Sequence, residues 1–322
     1  MKGTGARRTG LSIVAAALLT GAAACSSGPG TSDGADGSGG SGGDETSAAS
    51  SASTAPPASS GEGGGTRVGP MAALRSAEKS TGGADSAKVE STTTMGSVMA
   101  MTADGSLGWG DGLTGTLTIT YTGGTTADTM RQLGTTSMQA RYLPDAYYAR
   151  MGDAFAEQTG GKHWIRYPYD ALETLGGGSG AYLRNQMENS TPNQSVKLLL
   201  ASGDVRRVGE ESVRGERTTH YSGTVEVADL AGRDSGLSES QLADLRRQLE
   251  QAGVTTETVD IWVDEDDLLV KKVEKGRSAN GTYSQTAYYS DYGTPVDVEA
   301  PPAADTADFS ELLRQQGTGS TP

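Results

Sequence analysis

Cysteine is almost missing from this chain: Cys25 is the only one in 322 residues. With no second thiol there is no disulfide within the chain, so the fold must be stabilised by its core alone. Histidine is nearly as scarce, with His163 and His220 only. A zinc site of the usual Cys/His kind cannot be built from that inventory, and no motif calls for a cofactor. Phenylalanine occurs twice, as Phe155 and Phe309, so any apolar cavity would be lined by Leu, Val, Met, Ala and Tyr. Basic residues are in deficit, 26 Lys and Arg against 40 Asp and Glu, for a formal net charge of -14. Nucleic acid and anionic headgroups repel such a chain, which excludes nucleic-acid binding and any membrane attachment through a basic surface.

What the N-terminus does contain is a pattern. Lys2, Arg7 and Arg8 form a positive region, Leu11 to Leu19 a short apolar one, and Thr20-Gly21-Ala22-Ala23-Ala24 a run of small residues before Cys25. This is the layout of a cleavable export signal over residues 1–24. The apolar stretch falls short of the roughly 20 residues that span a bilayer. Small residues directly before Cys25 resemble the lipobox of bacterial lipoproteins, although Ala22 stands where that family usually has Leu or Val. The resemblance implies lipidation of the Cys25 thiol and cleavage just before it. Loss of the three positive charges of residues 1–24 leaves the mature chain at -17. A diacylglyceryl group supplies the two acyl chains that stable anchoring takes. Arg7-Arg8 leaves Sec and twin-arginine export both open.

Residues 26–68 are almost entirely Ser, Gly, Ala, Thr, Pro and Asp, without hydrophobic periodicity. Together with Cys25 they read as anchor and disordered linker (25–68), with an r.m.s. span of about 35 Å. A folded domain is expected over 69–314, with a disordered tail over 315–322. Pro70 suits the first turn of a helix carrying Leu74 and Ala77. Strand-like segments follow at Lys88 to Thr94, Gly115 to Thr122, Thr135 to Leu143, Ala146 to Met151 and Lys162 to Tyr167. Helical spacing appears at Tyr182, Leu183 and Met187, and again at Val196, Leu199 and Leu200 after Pro192.

Asp204 to Val208 and Arg217 to Val227 return to strand character. Ser238 to Ala252 is the clearest helix, with a Ser238/Gln241 capping box and an apolar face of Leu242, Leu245 and Leu249. Val259, Ile261 and Val263 alternate with Asp260, Trp262 and Asp264 as a two-faced strand. Partner strands are expected at Leu268 to Lys275 and Thr282 to Tyr292. A short helix around Phe309, Leu312 and Leu313 follows Pro301-Pro302. The predicted class is α+β: about ten antiparallel strands in a curled half-barrel wrapped over a few helices.

Three segments then carry a resemblance. They are Leu198 to Glu210, Gly215 to Val225, and Val259 to Asp264 with the return ending Tyr289-Ser290-Asp291-Tyr292-Gly293-Thr294-Pro295-Val296. In this order they resemble the actinobacterial LppX/LprG-type lipoproteins and, more distantly, the carriers LolA and LolB. Tyr147 to Arg150 followed by His163-Trp164-Ile165 is similar to an early hairpin of those proteins. The resemblance implies an apolar cavity for acyl chains, with a lipid or lipoglycan as ligand and an extracytoplasmic location at the cell membrane. It brings no catalytic residues. The cavity-lining candidates are Leu242, Leu245, Leu249, Val259, Ile261 and Val263, each of which could equally fill a dry core. The competing class is an envelope adaptor or sensor with a filled core and a protein partner.

Other motifs dissolve on inspection. Ser76-Ala77-Glu78-Lys79 matches S-x-x-K without its companion elements. Asp264 to Asp267 lacks the Gly and Glu of a calcium loop and reads as a hairpin turn. His220 beside Tyr221 has no nameable acid–base partner, so a non-enzyme is expected. Replacing Cys25 by Ser should move the protein from the membrane to the soluble fraction and abolish radiolabelled palmitate incorporation. A variant that still sediments with membranes would refute the anchor.

Overall fold

The computed structural model describes residues 69–174, 191–227, 237–251, 253–278 and 281–317. Cys25, the signal and linker segments and the Tyr182 to Met187 helical expectation lie outside these residues. Twelve strands form one sheet. They are β1 (Ser86–Met95), β2 (Met99–Gly108), β3 (Thr114–Gly123), β4 (Ser137–Tyr142), β5 (Ala146–Arg150) and β6 (Trp164–Pro168), then β7 (Arg206–Val213), β8 (Glu216–Glu226), β9 (Thr256–Val263), β10 (Leu269–Ser278), β11 (Gly281–Ser290) and β12 (Thr306–Asp308). The order across the sheet is β12-β6-β5-β4-β3-β2-β1-β11-β10-β9-β8-β7. The two edge strands do not meet, so the curled sheet stays open.

β1 to β6 and β7 to β11 each pair in sequence order, and β1 joins β11, closing a separation of almost 200 residues with eight paired positions from Lys88↔Ser290 to Met95↔Tyr283. The α+β, open antiparallel expectation therefore holds, with two differences. There are twelve strands where about ten were expected, and β12 runs parallel to β6. The second strand, Met99–Gly108, has no clean apolar alternation: Gly105, at φ +155, lies flat against β3, where a side chain would strike the Thr116 carbonyl.

The helices are α1 (Pro70–Gly83), α2 (Gly124–Gln132), α3 (Asp153–Gln158), α4 (Tyr169–Thr174), α5 (Asn193–Ser202), α6 (Glu239–Gln251) and α7 (Phe309–Gly317). α2, α3 and α4 are short and carry few apolar residues, which is why periodicity did not reveal them. The capping box of α6 is formed: Gln241 Oε1 accepts from the Ser238 N–H at 2.8 Å, and Ser238 Oγ accepts from the Gln241 N–H at 3.3 Å. Gly253 follows at φ +65 and ends the helix.

α1 and α5 pack on each other and α5 lies across β8 and β9. The buried Thr81 hydroxyl of α1 accepts from the Leu269 N–H at 3.1 Å, which fixes the helix to the start of β10. Lys197 of α5 pairs with Glu78 of α1 at 3.6 Å. Gly223 on β8 makes the close approach of α5 achievable. A Cβ there would stand 2.3 Å from the Asp204 carbonyl oxygen and 2.7 Å from Leu199 Cδ1. Gly223→Ala should therefore push α5 off the sheet and cost about 1–3 kcal/mol by urea denaturation, the range for overpacking a core. An unchanged midpoint would show that α5 is not held there.

Candidate ligand-binding site

One face of the sheet is mostly apolar. Inward side chains from β1 to β6 and β8 to β11 merge with those of α1, α2, α3, α5, α6 and α7 in a single buried cluster. The six residues singled out from sequence all fall within it. Val259, Ile261 and Val263 are buried on β9, Leu245 and Leu249 are buried on α6, and Leu242 is partly buried against them. The cluster also takes in Met95, Met99, Met101, Met130, Met138 and Met151. Methionine is unbranched and polarisable, so a surface rich in it can refit around an apolar body of irregular shape.

Toward the β6 side this face changes character. Register sets Tyr142 opposite Tyr147, and Tyr147 opposite Tyr167. Their rings run in a series with Phe309, with centroids 5.2, 5.6 and 4.7 Å apart. Tyr121 of β3 completes the group from across the curl. Burial pushes the phenols of Tyr121, Tyr142, Tyr147 and Tyr167 well above the usual range, and their neighbouring phenols add to the effect in the first three.

Beneath α5 the same face carries charge. Glu257 is 3% exposed. Lys272 Nζ lies 3.1 Å from Glu274 Oε2, and Glu274 Oε1 accepts from the Ser195 hydroxyl of α5 at 2.5 Å. Tyr283 hydrogen-bonds Glu257. Its ring can lie there because its cross-strand partner is Gly276, where a Cβ would sit 2.5 Å from Tyr283 Cε1. Gln285 Nε2 donates to Thr93 Oγ1 at 3.2 Å alongside. Burial, reinforced by the Glu274 carboxylate, pushes the Glu257 carboxyl up to about 8. Burial works against the Lys272 ammonium too, but Glu274 outweighs it and the pKa rises.

Sequence reading missed this cluster because a β-bulge between Leu269 and Lys271 inverts the alternation of β10. Counting by twos from Leu269 puts Lys271 and Val273 inside. The bulge puts Lys272 and Glu274 inside instead, opposite Ile261 and Val259.

The outer face holds His220, for which sequence named no partner. Its Nε2 is 2.9 Å from Asp260 Oδ1, its Nδ1 is 3.4 Å from Glu211 Oε1, and its ring stacks on Trp262 at 4.2 Å. Lys271 lies over Trp262 at 3.8 Å, and Arg214 over Tyr288 at 3.9 Å while its guanidinium grips both oxygens of Glu90. Tyr288 faces this outer surface and Tyr289 the inner one. Ser76 donates to Asp267 at 2.7 Å. Asp264 caps its own turn by accepting from the Asp266 and Leu268 N–H groups.

No family model matches the chain. Over 319 residues it is 55% identical to the "Putative lipoprotein SCO4650" of Streptomyces coelicolor, which covers 99% of this chain and 100% of that protein. The chain belongs to this actinobacterial lipoprotein family. Solved structures similar to the lipoprotein include LprF from Mycobacterium bovis, at 14% identity and TM-score 0.45, covering 73% of this chain and 97% of that one. Lipoprotein LppX of Mycobacterium tuberculosis matches at 16% identity and TM-score 0.42, covering 71% and 97%.

The charged cluster sets a pH dependence. Because the Glu257 pKa is raised on folding, the native state holds a proton that the unfolded chain releases above about 4.5, and this contribution is lost as pH rises toward about 8. Glu257→Gln keeps the neutral form at every pH. Its stability relative to the parent should therefore climb between pH 5 and 8, by at most about 1.4 kcal/mol per unit. Urea melts at several pH values would measure it, and parallel pH profiles would show that Glu257 titrates normally.

Proposed function

We propose that this lipoprotein binds lipid-like hydrophobic molecules against the inner face of its sheet, on the extracytoplasmic side of the membrane. The carrying observation is the single apolar cluster along that face, rich in adaptable methionines and bordered by polar groups at two separate places. Twelve strands in an open curl present more inner surface than a closed small barrel, and among the described residues none of the opposing helices is longer than 14 residues. An apolar ligand inserted between sheet and helices would complete that packing, and Leu242, Leu245, Leu249, Val259, Ile261 and Val263 would line it. The anchor on Cys25 and the long linker would hold the domain within reach of the bilayer from which such a ligand must come. Binding or carriage is the reading that this mostly apolar face supports.

Native mass spectrometry of the full mature chain carrying Cys25→Ser, purified without detergent, tests this. Excess mass that is released on denaturation and extracts into organic solvent is the expected result. A bare polypeptide mass that stays unchanged after incubation with envelope lipids would overturn the proposal and favour an adaptor or sensor with a filled core.

A further inference from the structure

The Tyr121 side chain is 3% exposed, yet its hydroxyl has no hydrogen-bond partner among the described residues. A buried hydroxyl left unpaired is costly, and native interiors rarely keep one without a reason. The backbone shows that the placement is not slack: the Tyr121 N–H donates to the Thr136 carbonyl at 2.8 Å, and Met101 of β2 stands opposite in register. The surroundings are also unusual in kind. The groups acting electrostatically on Tyr121, Tyr142 and Tyr147 are other tyrosines, Tyr167 and Tyr169 included, with no ionised side chain among them. Burial keeps these phenols neutral across the physiological range. The charged cluster of Glu257, Lys272 and Glu274 belongs to β9 and β10, at least four strands away across the sheet from β3, β4, β5 and β6.

We infer that the tyrosine group is a polar subsite for a neutral carbonyl oxygen borne by an otherwise apolar molecule, with the Tyr121 hydroxyl as donor. Phenols in an apolar wall can donate to such an oxygen without a countercharge. A phosphate or carboxylate would be buried here with no cation among the described residues of the group to balance it, which is prohibitively costly. The tilted ring series of Tyr142, Tyr147, Tyr167 and Phe309 gives the group carrying that carbonyl an aromatic wall to pack against. Two sources share this chemistry, an acyl ester and an isoprenoid quinone. The inference rests on the proposed lipid-binding function and names the polar end of its ligand.

The test compares the full mature chain carrying Cys25→Ser with the same chain also carrying Tyr121→Phe. Four probes are titrated: trioleoylglycerol, menaquinone, the oxygen-free hydrocarbon squalane, and dioleoylphosphatidylglycerol. Tyr121→Phe should weaken at least one carbonyl probe by about tenfold, the size of one hydrogen bond, and leave squalane unchanged. Which carbonyl probe responds identifies the source. Squalane binding together with carbonyl binding that is indifferent to the variant would overturn the subsite and leave the lipid-binding reading standing. Failure of all four probes to bind would remove both. Tighter binding of the anionic phospholipid than of either neutral ester or quinone would overturn the neutral chemistry. Thermal melting of the ligand-free chains gives an independent check. Removing an unpaired buried hydroxyl should hold or raise Tm, whereas a clear fall would mean that the hydroxyl has a partner within the protein and no role waiting for a ligand.

Discussion

Everything in this domain depends on keeping water from one face of a very wide sheet. A strand pair can alternate apolar and polar side chains at no cost, but the apolar side must then be covered. Here that side extends over most of the sheet, while the helices available to cover it are short and few. The junction of β1 with β11 makes the demand continuous. Without it the chain would form two smaller sheets, each with a core of its own. Its eight-residue register joins the two halves into one surface, at the entropic cost of bringing distant chain segments together.

The covering helices are fastened by polar bonds as well as by apolar packing. Thr81 accepts from the first residue of β10, Ser195 donates to Glu274, and Lys197 reaches Glu78. A buried carboxylate–ammonium pair is a poor source of net stability, since desolvating both ions consumes most of their attraction. It is a good source of specificity, because leaving either partner alone is far worse. The Lys272–Glu274 pair with Ser195 thus fixes where α5 sits along the sheet. Glu257, raised toward neutrality by the same burial, couples that seating to protonation. The phenols across the sheet impose no such charge balance and leave one hydroxyl unanswered.

The two faces divide the labour by chemistry. On the outside, side chains that sequence alone would scatter are drawn into a laminated row: Glu211, His220, Trp262, Lys271, Tyr288, Arg214 and Glu90 touch in succession across six strands and the β7–β8 turn. Within that row Arg214 pairs with Glu90 and His220 with Glu211, while Lys271 lies over the rings of Trp262 and Tyr288. On the inside, methionine and tyrosine take most of the places that phenylalanine, present only as Phe155 and Phe309, would otherwise fill, giving an interior that is apolar yet adaptable and supplied with hydrogen-bonding oxygens.

The amino-acid sequence by itself determined the local choices. Ser238 and Gln241 had to cap α6, Gly253 had to end it, and Val259, Ile261 and Val263 had to share one face, because each of these follows from a few bonds within one element. The lack of a second cysteine likewise excluded a disulfide without reference to any fold. Tertiary structure decided what depends on register. The bulge after Leu269 reversed the facing of β10 and put Lys272 and Glu274 into the interior, a single-residue event that alternation cannot announce. Tyr121, Tyr142, Tyr147 and Tyr167 became one group only because the sheet curls, and β12 found β6 only because the chain end returns alongside it in parallel. Periodicity reports which face a residue occupies; it cannot report which distant residue will share that face.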